Sequence, residues 1–475
     1  MWRGLIAFVV VALGTVMIAP WGAATDNQAA DAPALGDSAG GVSFRTVRDF
    51  GAVGDGVADD TAAVQRAVDS GRGDILFSRG VYRLTRPVEI DLKESGPVGL
   101  AGTGPAKIVM AGPGPAFRIR GTHLGTADPH TVQPGVWQRE RAPMADGLEI
   151  VGEHEEAVGI EASGTMQLTL TRLTIRRVLH AVHLVKRNRN VTVANCHFYE
   201  NRGVGLYLDH VDLHQINVSA CHISYNRGGG IVVRGGGLCN LQVAGCDLES
   251  NMAAEGPPTA NILIDMHGGY AAEIAITGCT IQHNPNGPDS ANIRVIGDDQ
   301  RADFLGHVTI MANILSDVQV NIDLRRLRGV TVVGNTFGPG FQYDLRAVDC
   351  SNLVLSANNF DRNPHYALEF GEAKGGILLE DCRDSTITGL HINGAYTHPA
   401  ALMVRGGKRL NISQCTILDS EHAGMLVEDL SDSRIAGCMI RNDSESTGAW
   451  TALIVRGGAG NHLGDNLLGP DRKGR

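Results

Sequence analysis

Apolar and polar residues alternate in short runs along most of this chain, and the runs recur. Val191-Thr-Val-Ala-Asn-Cys196 returns as Ile216-Asn-Val-Ser-Ala-Cys221, Leu241-Gln-Val-Ala-Gly-Cys246 and Ile274-Ala-Ile-Thr-Gly-Cys279. Later copies place Asn313, Asn335 and Asn358 in the last slot, then Cys415, Cys438 and Asn466. The steps from 196 to 221 and from 221 to 246 are each 25 residues, and the next two are 33 and 34. Self-similarity at that period marks a solenoid, and β-branched residues at alternate positions make each unit a coil of short strands. Equivalent residues of successive coils then become vertical neighbours, about 4.8 Å apart.

Each coil divides further. After the ladder slot come a short strand, a polar loop and a strand such as Gly205-Leu-Tyr-Leu-Asp209. Asn201, Asn226, Asn251, Asn284 and Asn363 all fall five residues beyond the slot and are expected to form a second stack. The loops lengthen through 252–259 and 285–289, which predicts walls beside one face. The longest irregular insertion, 121–146, is expected to drape over the sheet as a lid.

A length of 475 residues exceeds what one compact core usually takes, but a repeat array escapes that limit because each coil buries its apolar side against its neighbours. With 61 glycines and only 5% aromatics, the chain suits narrow coils and tight turns better than a thick sandwich. The net charge of −10 argues against a nucleic-acid partner. Arg3, an apolar run from Leu5 to Ala19 and small residues at Gly22, Ala23 and Ala24 read as an export signal over 1–24. A flexible leader over 25–43 and a solenoid domain over 44–475 follow, with no later membrane segment. An exported location is expected: periplasm, cell surface or outside the cell. Nine cysteines there would usually suggest disulfides, but six of them share the ladder slot. Parallel vectors about 4.8 Å apart are too far for a bond that wants β-carbons near ~3.8 Å. Inward free thiols are expected.

The segment Phe50-Gly-Ala-Val-Gly-Asp-Gly-Val-Ala-Asp-Asp60, the helix-like Thr61–Val68 and the strand-like Asp74–Tyr82 resemble the N-terminal signature of the pectate-lyase-like superfamily, of rhamnogalacturonase/epimerase type. Ser78 departs from the proline usual before the Gly-x-Tyr turn. The resemblance implies an all-β fold: a single-stranded right-handed parallel β-helix of about a dozen coils with a short N-terminal capping helix. It leaves the reaction open, since the superfamily includes lyases, hydrolases, epimerases and phage tailspikes.

Alternation within the strand after the polar loop sends Leu206 and Leu208 inward and Tyr207 and Asp209 outward. The same register yields two outward columns. One reads Arg118, Glu161, His183, Tyr207, Val232, Leu263, Arg294, Asp323, Glu369. The other reads Arg120, Ser163, Val185, Asp209, Arg234, Asp265, Ile296, Arg325. Asp209, Arg234 and Asp265 thus fall on three successive coils, with the carboxylates about 9.6 Å apart, at the upper edge of what inverting glycosidases use. A structural salt-bridge ladder is the competing role. For a lyase, Arg234 would clamp a substrate carboxylate and Tyr207 or His183 would take the proton. Arg118, Glu161, Arg294, Arg325 and the insertion's Trp137 are candidate substrate contacts. The Asn-Thr-Asp, Gly-His-Gly and Arg-Ile-Lys motifs of polygalacturonases are absent, which argues against that kind of pectin hydrolysis. Asp128-Pro-His130 is similar to a catalytic motif of alginate epimerases, but Thr131 follows where that motif has an acidic residue. His197 and His222 should stack one coil apart, yet no loop carries metal-ligand spacing, so no metal centre is expected; calcium stays open as a cofactor. The expectation is an exported enzyme cleaving an acidic or sulfated polysaccharide, by lyase or inverting-hydrolase chemistry. The alternative is a non-catalytic polysaccharide-binding or adhesin-like surface protein. No oligomeric state follows from the sequence.

Overall fold

A computed structural model describes residues 45–298, 306–362, 373–444 and 448–473. The proposed signal and leader, Asn363 and Glu369 lie outside them. The described chain is a parallel β-helix from Arg45 onward. One sheet stacks sixteen short strands, from Asp55–Asp59 to Leu467–Leu468. The stack is longer than a dozen because five rungs precede the one at Cys196, and their corners carry no Cys or Asn signal. A second, larger sheet holds the other two faces of each coil, and strands such as Val204–Ser219 run through both with a corner at His210. Helix Thr61–Asp69 packs Ala63, Val64, Ala67 and Val68 into the same core as Ile75, Phe77 and Val88 of the first coil. Asp59, not Asp60, receives the Thr61 N–H; Asp60 instead accepts Val53 N at 2.6 Å and Gly54 N at 3.1 Å.

The corner before each ladder residue explains the repeat. Asn195, Ala220, Gly245, Gly278, Ala312, Gly334 and Ala357 all adopt positive φ. This left-handed step turns the chain and costs a non-glycine residue about 1–2 kcal/mol. It leaves inward-facing carbonyls at the bend, and the ladder side chains satisfy them. Cys196, Cys221, Cys246 and Cys279 each donate to the carbonyl two residues back, at 3.3 to 3.5 Å. They also approach the preceding coil, as Cys196 does Leu170 O at 3.6 Å. Asn335 makes the same two contacts, with Val333 O at 3.3 Å and Ile310 O at 3.0 Å. Its amide also donates to Asn358 Oδ1 at 3.0 Å. Cysteine and asparagine interchange here because each supplies a donor on a short side chain. Cys350 and Cys382 repeat the contact at another corner, one the sequence pattern did not single out. All nine cysteines are free thiols.

The second stack forms in part. Asn201, Asn226 and Asn251 are buried, with amide-to-carbonyl bonds of 2.7 Å from Asn201 to Asn226 and from Asn226 to Asn251. The chain of amides then passes to Asn261, Asn292 and Asn321, at 2.8 Å per step, and not to Asn284. Asn284 lies in the lengthened loop, where its side chain accepts Asn286 N at 2.9 Å. The long loop before it changes which residue faces inward.

Two outcomes test this account. Alkylation of the unfolded, unreduced protein should label nine thiols, and reductant should leave thermal stability unchanged. Replacing Asn226 by Ala removes a buried amide that serves both neighbours, and should cost about 1–3 kcal/mol by urea denaturation.

Candidate active site

The outward columns take the predicted register. Arg118 pairs with Glu161, Glu161 with His183, His183 with Tyr207, then Val232, Leu263, Arg294 and Asp323. Beyond Asp323 the next partner is Arg346, which the sequence reading skipped. In the second column Asp209, Arg234 and Asp265 are direct neighbours. All three therefore lie on one stripe of one face.

Their pairing differs from a salt-bridge ladder. Asp209 Oδ2 lies 3.1 Å from His183 Nε2, and its Oδ1 lies 2.7 Å from His210 Nδ1. Burial alone would raise the Asp209 carboxyl, but these hydrogen bonds outweigh it and hold the group below the usual carboxylate range. Asp265 Oδ1 is occupied by His267 Nδ1 at 2.5 Å. Between them Arg234 is exposed and makes no ion pair or side-chain hydrogen bond among the described residues. The histidines have taken both carboxylates, and a cation is left facing solvent.

Three rings sit beside it. His183 and Tyr207 stack with centroids 5.2 Å apart and planes 6° apart. His180 packs behind both, at 5.3 and 4.9 Å. Burial, and then the nearby Asp209 charge, push the Tyr207 phenol up to about 12. Burial, then His183, pushes His180 down to about 4, and its Nδ1 accepts the Val204 N–H at 3.1 Å. His180 is therefore a neutral ring bearing its proton on Nε2. His183 is only 18% exposed and lies on the edge of the stripe.

Several expected substrate contacts have other work. Arg118 is bonded to Glu89 and Glu161, both at 2.7 Å, so Arg118 and Glu161 complete one another. Arg294 is 4% exposed, covered by the loop at Asp289 and paired with Asp323 at 2.7 Å. Arg325 and Arg346 also converge on fully buried Asp323, at 2.7 and 2.9 Å. That carboxyl is held far below its ordinary value: three guanidinium groups overcome the large cost of its burial. Arg325 keeps an exposed flank and lines a cavity of about 480 Å³ with Arg326, Tyr343, Arg346 and Arg405, further along the same face. Trp137 is 37% exposed. Its short helical turn, Val136–Glu140, docks through Val136 on Met166, while Arg189 holds Thr126 O at 2.8 Å. The insertion thus covers a flank near the corner and is no lid. Asp128-Pro-His130 is a capped turn in which Asp128 accepts His130 N at 2.9 Å.

Fold and stripe together define a right-handed parallel β-helix carrying a polar face of acid–base residues. A family model for the right handed beta helix region matches residues 151–281 and 368–466, and one for rhamnogalacturonase A/epimerase, pectate lyase-like, matches 44–141. The chain has the right-handed parallel β-helix fold and resembles pectate-lyase-like proteins over its N-terminal part. Mannuronan C5-epimerase AlgE5 of Azotobacter vinelandii is 51% identical over 43 residues, covering 8% of this chain and 4% of that protein. The chain thus spans a small fraction of the curated relatives it matches. A tailspike of E. coli bacteriophage HK620, solved with a hexasaccharide, aligns over 88% of this chain and 80% of its own, at 13% identity and a TM-score of 0.50. The A-module of A. vinelandii mannuronan C-5 epimerase AlgE4 aligns over 88% and 97%, at 14% identity and a TM-score of 0.41. Among the described residues no helix is long and apolar enough to cross a membrane.

Two predictions follow from the burial here. Asp323→Asn strands the buried Arg294 and should cost about 3–5 kcal/mol, read from the shift in urea midpoint. His180 binds its proton more weakly in the folded state, so the unfolded chain holds more protons between pH 4 and 6.5. Its contribution is present above pH 6.5 and lost as pH falls toward 4. His180→Gln should therefore narrow the stability difference between pH 7 and pH 4.5 relative to wild type.

Proposed function

We propose that this protein acts outside the cytoplasm as a lyase on an acidic polysaccharide, removing the proton on the carbon beside a uronate carboxylate. The observation that carries the reading is Arg234: a guanidinium without an internal partner, one rung from Asp209 and beside the His183–Tyr207 stack. A uronate carboxylate would supply the pairing it lacks, in the forked geometry that Arg favours.

With Nε2–H donated to Asp209, His183 takes the proton on Nδ1, which makes no hydrogen bond and stands 4.0 Å from Glu161 Oε2, and the two carboxylates stabilise the imidazolium that forms. The electrons of the broken C–H bond become a carbon–carbon double bond as the glycosidic C–O bond breaks. Tyr207, whose high pKa keeps it protonated, delivers its proton to the departing oxygen. Base and acid lie on adjacent rungs of one column, hence on one side of the sugar. That suits elimination, whereas epimerisation needs a proton returned from the opposite face. Inverting hydrolysis is disfavoured because it needs a protonated carboxylic acid, and Asp209 is held ionised.

Incubation with a panel of polyuronates should give ultraviolet-absorbing unsaturated ends together with reducing ends. Tyr207→Phe and His183→Ala should each lower kcat by about 10²–10⁴. Arg234→Ala should act mainly on KM. Reducing ends without unsaturation would favour hydrolysis, and retention of polymer without turnover would favour a binding protein.

A further inference from the structure

The short-strand face carries a cluster unrelated to the stripe above. His222 and Asp247 are vertical neighbours on strands His222–Ser224 and Asp247–Glu249, and Glu249 projects to the same side two residues further on. Ligand atoms of the three lie within 4.8 Å of one another. His222 Nε2 and Asp247 Oδ2 are 3.6 Å apart, too far for a hydrogen bond. The two side chains are 43% and 46% exposed, yet the His222 Nε2 and Asp247 Oδ1 atoms are themselves covered and make no hydrogen bond. Polar atoms so placed are normally satisfied, and exceptions need a cause. Around the triad, the Tyr225 hydroxyl donates to Glu249 Oε1 at 3.1 Å and fixes that carboxylate. His283 Nε2 stands 3.9 Å from the same oxygen, and the His197 ring lies 5.8 Å above that of His222.

We propose that His222, Asp247 and Glu249 bind a divalent transition-metal ion of the zinc class. Two ligands on a tetrahedral ion with bonds near 2.1 Å stand about 3.4 Å apart, close to the observed gap. One imidazole nitrogen and two carboxylates form a donor set for such an ion, with a fourth position for water. Calcium is a poor match, since it takes six to eight oxygens and no nitrogen. The Tyr225 hydroxyl plays the orienting part that outer partners of metal ligands play. The ion bridges neighbouring coils and so ties the stack across its short strands.

The test is titration of the full-length, chelator-treated protein with Zn²⁺ alone, followed by calorimetry. One equivalent should bind at least tenfold more tightly than any remainder and should be lost in His222→Gln and Asp247→Asn. Zn²⁺ should raise the thermal midpoint of wild type but not of the variants. Co²⁺ in its place should give the intense visible bands of a four-coordinate centre. If either variant misfolds by circular dichroism, Glu249→Gln serves instead. An unchanged tight equivalent in the variants would overturn the assignment, as would absence of a tight equivalent in wild type or displacement of Zn²⁺ by equimolar Ca²⁺.

Discussion

The structure depends on one constraint: each coil must place its backbone donors and acceptors against those of the coils above and below. Parallel pairing joins rung to rung, from Asp55–Asp59 to Leu467–Leu468. That pairing survives only if every coil turns its corners at the same height. The left-handed residue before each ladder position makes the turn, and the Cys or Asn behind it satisfies the carbonyls the turn exposes. The corner is paid for in backbone strain and recovered in hydrogen bonds that would otherwise be missing from a dry core.

Stacking also turns a line of sequence into a surface. Residues about 25 positions apart become neighbours, so polar side chains on one face meet partners from other coils. On the face of the stripe several charges are neutralised in this way: Arg118 by Glu89 and Glu161, and Asp323 by three arginines. Against that background an unpaired guanidinium at Arg234 stands out. So do the unpartnered atoms of His222 and Asp247 on another face. Both are places where local satisfaction fails, and ligands complete such places.

Much was legible in the sequence because parallel stacking has a fixed register. The alternation at Leu206, Tyr207, Leu208 and Asp209 gave the outward columns, and the structure follows them from Arg118 to Asp323. Register does not report what covers a column. Val232 and Leu263 point outward yet are buried against Val204, Ala260 and Ala291, and Arg294 is sealed under the loop at Asp289. Asn284 leaves the second stack for the same reason: it belongs to an irregular loop, whose path follows packing and not periodicity.

The sequence by itself determined the coil, its corners and the direction of each strand side chain, since these depend on local backbone preference and a repeat read along the chain. Tertiary structure alone decided which charges are spent on one another. Whether Asp209 faces Arg234 or His183, and whether His222, Asp247 and Glu249 converge, depends on rotamers and loop cover. Those are settled between coils at distances of a few ångströms, where no periodic signal remains.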